Sequence, residues 1–536
     1  MDLTQEVKAW IADDPDPKTA AQLQQWLDSN NEVELRTSFS GFLQFGTAGL
    51  RGPIRPGPSG MNRAVVGRTA AGLAAYMKER NLTSVVIGRD ARYGSEDFTF
   101  ETAQIMSGAG MKVYVLPRPL PTPVLAFATN ELKCDVGIMV TASHNPPQDN
   151  GYKVYLGGTV DGIHYRGSQI VSPTDESIAQ KIDLITSLTS QPRGKEWTVL
   201  GEEVVDKYVG ITAALANKPG NLKIVYTAMH GVGTETLQQV FHKAGFPQPI
   251  LVESQAKPDP DFPTVAFPNP EEPGAIDLAL ETARTFDADL VIANDPDADR
   301  CAAAVKDPVK GWRMLRGDEL GVILGETIAR ATTQGILANS IVSSSILSKI
   351  AAHYKLDFKE TLTGFKWLAK IDGLTFGYEE ALGYAVDAVT VNDKDGISAA
   401  IKLAQIATDL AAQNKTLLDL LDEVWVRHGF HATEQISIRL SDLSQVGVIM
   451  GNLRSNSPKE IAGRSVTSID DLAKPKDGLP PTDGLRIWLD GGIRIIIRPS
   501  GTEAKMKCYI EAIAKDSATA QAVLDQLRAP LKELLS

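Results

Sequence analysis

Three strand-like runs within residues 83–142 set the fold class: TSVVIGRD (83–90), MKVYVLP (111–117) and CDVGIMVTA (134–142). Two helical patterns accompany them, AVVGRTAAGLAAYMKER (64–80) and EDFTFETAQIMSGAG (96–110). Short β-rich apolar runs separated by helix-length segments predict α/β units around a mostly parallel sheet.

The same alternation restarts twice along the chain. It restarts at LKIVYTAMHG (222–231), and again after Gly317, where GDELGVILGETIARATT (317–333) predicts a helix and NSIVSSSIL (339–347) a strand. From Phe430 onward, turn-separated strand patterns and a closing helix (517–535) predict an α+β segment. The fold class predicted is therefore α/β, with three similar α/β domains that have mixed sheets and a C-terminal α+β domain.

The organisation of the chain follows from these restarts. A helical stretch is expected at 3–30, and a Pro-, Asp- and Glu-rich surface loop at 254–274. The predicted domains are 1–205, 206–316, 317–429 and 430–536.

Composition excludes several classes of function. The 536 residues include 54 basic and 66 acidic side chains, for a net charge of −12. This balance argues against nucleic-acid and anionic-membrane partners but leaves an anionic small molecule open. The acidic start does not resemble a signal peptide, and no run of about 20 apolar residues predicts a membrane span. Cys134, Cys301 and Cys508 lie far apart, so we expect a reduced cytoplasmic protein; nothing predicts its oligomeric state.

The motif TASHNPPQDNGYKVY (141–155) follows an apolar strand. Ser, His, Asn and Pro are common turn residues, so a simple turn is one interpretation. A serine can also carry a phosphoryl group covalently, and α/β folds bind ligands at the carboxyl ends of strands. Both interpretations stay open on this motif alone.

The motif NDPDADR (294–300) also stands at a strand end. Its alternating Asp295, Asp297 and Asp299 can face one hard cation such as Mg²⁺ or Ca²⁺, with a solvated acidic turn as the alternative. An EF-hand is excluded because Arg300 and Lys306 stand where it needs Gly and Glu. A haloacid-dehalogenase nucleophile motif fails too, since it requires Gly-Thr after the second aspartate.

Three further motifs carry groups that suit phosphate or sugar hydroxyls, and two of them, FGTAGLRG and GYEEALGY, are weak signals by themselves. FGTAGLRG (45–52) and RPSGTEAK (498–505) combine basic side chains with backbone and hydroxyl donors that suit phosphate. GYEEALGY (377–384), with TGFKW (363–367) upstream, places paired glutamates where they can bind vicinal hydroxyls. Turns or exposed charges are the alternative interpretations.

Together, in this order, the motifs resemble the α-D-phosphohexomutase superfamily (phosphoglucomutase/phosphomannomutase) from Gly46 to about Ile510. The resemblance implies four domains around a central cleft, Mg²⁺ as cofactor, and glucose 1,6-bisphosphate as primer and intermediate. It implies the catalytic residues Ser143, Lys153, His144 and Arg51. It implies the metal ligands Ser143, Asp295, Asp297 and Asp299. It implies the substrate-binding residues Thr47, Arg300, Thr363, Gly364, Lys366, Glu379, Lys394, Arg498, Ser500, Gly501, Thr502 and Lys505.

The reaction expected from the resemblance is the interconversion of glucose 1-phosphate and glucose 6-phosphate through phosphorylated Ser143. Among the catalytic candidates, Lys153 is favoured as the acid/base, which requires a lowered pKa. For Lys366 and Lys394 a solvated surface charge is the alternative.

The resemblance has two departures that bear on the substrate. Ala381 stands where a serine is common, and Gly383 where some members have a histidine. Phosphomannomutase, phosphopentomutase and glucose 1,6-bisphosphate synthase activities therefore remain alternatives. A non-catalytic sugar-phosphate-binding protein on the same fold is a more distant one.

Overall fold

The computed structural model describes residues 2–476, 478–499 and 505–535. The chain divides into two compact units. The first comprises Met1–Leu315, Ala369–Asp372 and Ala381–Ala412, and the second Arg316–Leu368, Gly373–Glu380 and Gln413–Ser536. In the described part of the chain, no helix has both the length and the apolar character that crossing a membrane requires.

The first unit begins with three helices where the sequence predicts a helical stretch. They are α1 (Leu3–Asp13), α2 (Pro17–Asp28) and α3 (Glu32–Ser38). The break before α2 has a local cause, since Asp16 caps the helix and Pro17 occupies its first position. The three helices enclose a small apolar core of Val7, Leu23 and Leu35.

The next part of the first unit is an α/β layer. Its elements are β1 (Leu50–Pro53), α4 (Arg63–Glu79), β2 (Ser84–Arg89), α5 (Ser95–Gly108), β3 (Lys112–Val115), α6 (Thr122–Glu131), β4 (Val136–Val140), β5 (Asp149–Leu156), β6 (Thr159–Val160), β7 (Ile163–His164), β8 (Ser168–Gln169), α7 (Thr174–Asp183) and β9 (Thr198–Val199). The sheet order is β1-β5-β4-β2-β3-β9, with β8 beside β5. Strands β4, β2, β3 and β9 are parallel, whereas β5 is antiparallel to both of its main neighbours, so the sheet is mixed.

The first unit also contains a second mixed sheet. Its elements are α8 (Glu203–Ala213), β10 (Ile224–Thr227), α9 (Gly233–Lys243), β11 (Ile250–Leu251), α10 (Asp277–Thr285), β12 (Leu290–Ala293), β13 (Ala302–Asp307) and β14 (Gly311–Met314). The sheet order is β11-β10-β12-β13-β14. Beyond a short 3-10 turn, Glu253–Gln255, the predicted loop at 254–274 contains no helix or strand.

The second unit opens with a third α/β layer. Its elements are α11 (Gly317–Ala331), β15 (Ile336–Ser340), α12 (Ile346–Tyr354), β16 (Asp357–Thr361), α13 (Phe365–Leu368) and β17 (Leu374–Glu379). Strand β15 lies between β16 and β17, parallel to both. The chain then passes through β18 (Gly383–Ala385) and α14 (Gly396–Ala411), which belong to the first unit, and returns with α15 (Leu417–His428).

The strand predicted at 339–347 is wrong in position. The observed strand ends at Ser340, and α12 begins at Ile346. Ile341 and Val342 are apolar for a different reason, because they pack in a cluster with Leu362, Ile496 and Tyr509. Their contacts are with a distant part of the chain, so the local pattern imitates a strand.

The C-terminal part is an α+β layer, as predicted. Its elements are β19 (Phe430–Arg439), α16 (Leu443–Ser455), β20 (Glu460–Ile461), β21 (Arg464–Asp471), β22 (Leu485–Leu489), β23 (Ile493–Pro499), β24 (Lys505–Ala514) and α17 (Ser517–Leu534). The sheet order is β19-β24-β23-β22-β21-β20, antiparallel throughout. The predicted fold class is confirmed, while the domain boundaries at 205, 316 and 429 remain a proposal.

Candidate active site

The serine loop, residues 141–149, joins β4 to β5. Ser143 is 3% exposed and has a φ of 52°, a left-handed conformation that costs a non-glycine residue about 1–3 kcal/mol. Its backbone N–H donates to Thr141 Oγ1 (2.9 Å), and its hydroxyl donates to Asp295 Oδ2 (2.8 Å). His144 Nδ1 lies 3.1 Å from Ser143 Oγ. The loop therefore presents a strained serine directly to a carboxylate.

Arg92, in the loop after β2, holds the serine loop by its backbone. Its guanidinium donates to the carbonyls of Ser143 (2.7 Å), Asn145 (2.6 Å), Pro146 (2.8 Å) and Asp149 (3.1 Å). The side chain is 1% exposed and lies 3.4 Å from the Asp90 carboxylate. A buried guanidinium with its donors directed at one loop is well suited to maintain the strained conformation.

The aspartate loop, residues 294–300, joins β12 to β13. Asn294 Nδ2 donates to the carbonyl of Arg300 across the loop (2.6 Å), and Ala298 has a φ of 54°. This conformation brings carboxylate oxygens of the three aspartates within 4.8 Å of one another. All three side chains are buried: Asp295, Asp297 and Asp299.

Cationic and polar groups converge on this carboxylate cluster. Lys153 Nζ lies 2.7 Å from Asp297 Oδ2 and 3.0 Å from Asp299 Oδ2, and Lys394 Nζ lies 3.2 Å from Asp299 Oδ2. Thr122, at the start of α6, donates its hydroxyl to Asp297 Oδ2 (2.7 Å). The loops of both sheets of the first unit thus meet in one buried, charge-dense cluster.

Burial and mutual repulsion perturb the acids and bases of the cluster. Burial, with the charges of Asp297 and Asp299, raises the pKa of Asp295 well above its ordinary value. Burial alone would also raise the pKa of Asp297, but the Lys153 ammonium outweighs it and holds that pKa low. Burial, followed by the Arg300 and Arg51 charges, lowers the pKa of His144 well below its ordinary value, so the imidazole is neutral.

The lowered pKa expected for Lys153 is not found. Burial alone would lower its pKa, but the carboxylates of Asp297 and Asp299 outweigh burial and raise it. In this arrangement Lys153 is a charged ammonium group. It can supply a proton or positive charge, but it cannot accept a proton at neutral pH.

The carboxylate cluster fits a Mg²⁺ ion. Hard oxygen ligands are what Mg²⁺ prefers, and a divalent cation relieves the repulsion among three close carboxylates. Asp297 Oδ1 and Asp299 Oδ1 are buried and have no hydrogen-bond partner among the described residues. The donor set predicted from sequence, Asp295, Asp297, Asp299 and the Ser143 oxygen, is therefore brought together.

In the second unit, two pairs of predicted substrate residues are in contact. Arg498 Nη1, on β23, donates to Thr363 Oγ1. Glu379 Oε1, at the end of β17, accepts from the backbone N–H of Gly364 (2.6 Å). The dipeptide Thr363–Gly364 therefore connects a predicted phosphate-binding arginine with a predicted sugar-binding glutamate.

The remaining predicted residues are placed as follows. Arg51, on β1, donates to Asn145 Oδ1 of the serine loop (3.1 Å), and the backbone N–H of Arg300 donates to Asp295 Oδ1 (3.0 Å). Thr47 lies in the turn closed by Gly46 and Gly49, in the first unit. Lys366 and Lys505 lie in the second unit, in α13 and at the start of β24. Ser500, Gly501 and Thr502 lie outside the described residues.

Family models support the same assignment as the motifs. Models of the phosphoglucomutase/phosphomannomutase family match in chain order: alpha/beta/alpha domain I at residues 43–187, domain II at 204–311, domain III at 316–428 and the C-terminal domain at 451–529. The chain belongs to this family. It is an enzyme, a phosphohexomutase that moves a phosphoryl group within a sugar phosphate.

Individual relatives in the family differ in their substrates. A protein of Haemophilus influenzae named "Probable phosphomannomutase" is 49% identical over 482 residues, covering 89% of this chain and 98% of that protein. The phosphopentomutase of Mus musculus is 34% identical, covering 96% and 90%. The phosphoglucomutase of Staphylococcus haemolyticus is also 34% identical, covering 90% and 92%.

Solved structures of the family have the same fold. Parafusin, a phosphoglucomutase from Paramecium, superposes with a TM-score of 0.72 at 19% identity, covering 93% of this chain and 96% of that chain. A family protein from Burkholderia thailandensis gives a TM-score of 0.71 at 19% identity, covering 91% and 97%. The family is Mg²⁺-dependent, in agreement with the aspartate cluster found here.

Sequence reasoning missed two residues of the site: Arg92, which holds the serine loop, and Thr122, which contacts Asp297. Both residues follow strands of the first sheet, and the rule that places ligands at the carboxyl ends of parallel strands could have found them. Arg92 stands in RDARYG directly after β2. Thr122 follows β3 after a short loop and begins α6.

Proposed function

We propose that this enzyme interconverts glucose 1-phosphate and glucose 6-phosphate through phosphorylated Ser143 and a glucose 1,6-bisphosphate intermediate. The observation that carries the proposal is the hydrogen bond between Ser143 Oγ and Asp295 Oδ2 (2.8 Å). It places a strained, buried serine beside a cluster of carboxylates that fits Mg²⁺. A serine so placed can act as a phosphoryl carrier.

Each group in the first unit has a distinct proposed role. Asp295, Asp297 and Asp299 hold Mg²⁺, which when bound withdraws negative charge from the phosphoryl group and orients it. Arg51 holds the serine loop through Asn145, and Arg300 adds positive charge beside Asp295. Lys394 neutralises part of the charge on Asp299.

In the forward direction, the 6-hydroxyl of glucose 1-phosphate attacks the phosphorus of phosphorylated Ser143. The bond between phosphorus and the seryl oxygen breaks, the attacking hydroxyl loses its proton, and the seryl oxygen gains one. We propose His144 and Lys153 for these proton movements: neutral His144, whose Nδ1 lies 3.1 Å from the seryl oxygen, can accept a proton, and charged Lys153 can supply one. Glucose 1,6-bisphosphate then turns over so that its 1-phosphate faces Ser143. The seryl oxygen attacks that phosphorus, the bond between phosphorus and the sugar O1 breaks, the seryl proton passes to O1, and glucose 6-phosphate leaves.

The second unit supplies recognition in this proposal. Arg498 binds the phosphate that is not transferred, together with Ser500, Gly501, Thr502 and Lys505. Glu379 binds sugar hydroxyls, and Thr363, Gly364 and Lys366 complete the second unit's contacts. Thr47, which belongs to the first unit, is a further proposed substrate contact. Guanidinium-to-phosphate bonds are charge-assisted and strong, so Arg498 is expected to dominate this part of the affinity.

Mannose phosphate is the second candidate substrate, favoured by the name and the 49% identity of the Haemophilus influenzae relative. Ribose phosphate is a third, favoured by the phosphopentomutase of Mus musculus. The phosphoryl chemistry is the same for all three sugars, so the serine and the aspartates do not discriminate between them.

The test is a coupled assay with Mg²⁺ and a trace of glucose 1,6-bisphosphate. Glucose 1-phosphate, mannose 1-phosphate and ribose 1-phosphate are compared, with Ser143→Ala as the control. We expect the fastest turnover with glucose 1-phosphate and a loss of roughly 10⁴-fold or more in the variant. Turnover that survives Ser143→Ala rejects the mechanism, and a Ser143-dependent preference for another sugar rejects only the glucose assignment.

A further inference from the structure

In the second unit, an ion pair of β23 and β24 faces the 341–345 turn, the segment between β15 and α12. Arg494 and Glu511 are paired across the two strands, and Arg494 Nη2 lies 3.0 Å from Glu511 Oε2. Both side chains are buried, at 3% and 2% exposure. Burying two charged side chains costs desolvation energy, so the presence of this pair calls for a structural or functional explanation.

The ion pair holds the backbone of the turn from two sides. Arg494 donates to the carbonyls of Ile341 (3.0 Å) and Ser343, while Glu511 Oε1 accepts from Ser344 Oγ (2.6 Å) and from the backbone N–H of Ser345 (2.8 Å). We call this contact between the ion pair and the 341–345 turn the seam.

Glu511 also contacts a histidine outside the seam. His431 Nδ1, on β19, lies 2.9 Å from Glu511 Oε1, and Lys349 Nζ, on α12, lies 3.0 Å from His431 Nε2. The Glu511 carboxylate is thus held by His431 as well as by the turn, and Lys349 in turn contacts His431.

On its other side, the turn holds the end of β17. Ser343 Oγ donates to Glu380 Oε2 (3.0 Å) and accepts from the backbone N–H of Glu380 (3.1 Å). Ser340 Oγ donates to the same carboxylate oxygen (3.1 Å). Glu380 is the direct neighbour of Glu379, so Glu379 is connected through the turn to β23.

A second connection runs along the same face of β23. Arg498 is four residues beyond Arg494, on the same side of the strand, and it contacts Thr363. The backbone of Gly364 in turn donates to Glu379 (2.6 Å). Between the two connections, Ile496 packs against the apolar residues of the turn. Strand β23 and Glu379 are therefore joined at two points.

We propose that Arg494, Glu511, Ser343 and Glu380 are positioning residues that fix the separation between Glu379 and Arg498. The inference rests on the proposed function, in which Glu379 binds the sugar and Arg498 its phosphate. With the separation fixed, a sugar phosphate gains both contacts with a smaller ordering cost. Inorganic phosphate has no sugar hydroxyls for Glu379 and therefore gains nothing from the connection.

The test compares two ligands in protein that cannot turn over. Glucose 1-phosphate and inorganic phosphate are titrated calorimetrically into Ser143→Ala protein with Mg²⁺, with and without Ser343→Ala. We expect Ser343→Ala to weaken glucose 1-phosphate about tenfold and inorganic phosphate less than twofold. Ser345→Ala is the matched control. It keeps the backbone N–H that donates to Glu511, so it should change neither affinity. Arg498→Gln identifies the share of phosphate binding that belongs to Arg498.

A double-mutant cycle separates positioning from a general loss of structure. Glu379→Gln should weaken glucose 1-phosphate less in the Ser343→Ala background than in its absence, and Glu380→Gln should give the same coupling. Additive losses, an equal loss for both ligands, or an unchanged affinity for glucose 1-phosphate would overturn the proposal.

Failure of the proposed function is distinguishable from failure of this inference. If active enzyme prefers mannose 1-phosphate, the glucose assignment is wrong, and the same titrations with mannose 1-phosphate decide the inference. If turnover survives Ser143→Ala, the mechanism is wrong, while the binding comparison still decides whether the seam positions Glu379.

Discussion

The carboxylates of the two units differ in the partners that their oxygens have. In the first unit, Asp297 and Asp299 each keep one buried oxygen without a hydrogen-bond partner among the described residues, and their other oxygens face Lys153. In the second unit, Glu380 accepts from two serine hydroxyls and Glu379 from a backbone N–H. The first cluster fits a cation, whereas the hydrogen bonds of the second come from serine and backbone groups of its own unit.

Backbone strain also differs between the functional loops of the first unit and the Arg498–Glu379 connection of the second. Ser143 and Ala298, in the two reactive loops of the first unit, have φ angles of 52° and 54°, which non-glycine residues rarely adopt. In the second unit, the connection between Arg498 and Glu379 places its left-handed conformation on Gly364 (φ 105°), where it costs little. We infer that the first unit stores charge and strain for chemistry, and that the second provides fixed geometry for recognition.

The largest effect is expected from neutralising one aspartate of the first unit. Asp297→Asn should lower kcat by roughly 10³-fold. It removes one negative charge from the three aspartates proposed to hold the Mg²⁺ that stabilises the transferred phosphoryl group. Mg²⁺ affinity, measured by calorimetry, should fall with it. The exposed Asp287→Asn is the control, and a kcat within tenfold of the unmodified enzyme would contradict the charge-based account.

Replacing Arg92, which holds the serine loop, should affect the stability of the protein and its catalytic rate separately. Arg92→Met leaves the Asp90 carboxylate buried and unpaired, so the free energy of unfolding should fall by about 3–5 kcal/mol. Urea unfolding curves provide the measurement. Adding Asp90→Asn should recover part of the stability but not kcat, because the carbonyls of the serine loop still lack their donor. Full activity in the double variant would show that Arg92 is not needed to hold Ser143.

The seam should respond to acid in a defined direction. The Arg494 charge and the hydrogen bond from His431 outweigh burial and lower the pKa of Glu511 from 4.5 to about 2. A lowered pKa stabilises the folded state above pH 4.5, and that contribution is lost as pH falls from 4.5 towards 2. The stability difference between the unmodified protein and Glu511→Gln should therefore shrink by up to about 1.4 kcal/mol per pH unit in this window.

Urea unfolding at pH 7, 4 and 3 measures this difference. Glu434→Gln, which removes the partly exposed pair with Arg528, is the control and should show a small difference at every pH. A difference for Glu511→Gln that does not change with pH would contradict the assignment of this carboxylate as buried and paired.

The smallest effect is expected at the second connection between β23 and Glu379, the one through Thr363 and Gly364. Thr363→Val keeps the shape of the side chain but removes the oxygen that Arg498 contacts. We expect KM to rise about three- to tenfold with kcat within twofold, as for a lost recognition contact of about 1 kcal/mol. A fall in kcat with unchanged KM would instead place Thr363 in the chemistry, and would remove the distinction between the two units.

Much of the fold could be predicted because its signals are local. Helical and strand periodicities are set by neighbouring side chains, and the three α/β layers and the α+β layer follow them. The exception is the 341–342 segment, which is apolar because it packs against Ile496 and Tyr509, more than 150 residues away. Periodicity cannot reveal a partner at that distance.

The candidate site likewise has features that local sequence predicts and features that depend on distant parts of the chain. Sequence alone determined the residue types at the strand ends, including Ser143 and the three aspartates, because a motif of a few residues contains its own chemistry. Only the tertiary structure decided that Arg92 holds the serine loop and that the pKa of Lys153 is raised rather than lowered. Both depend on Coulomb energies and hydrogen bonds that act over a few ångströms, and it is the packing of distant segments that sets those distances.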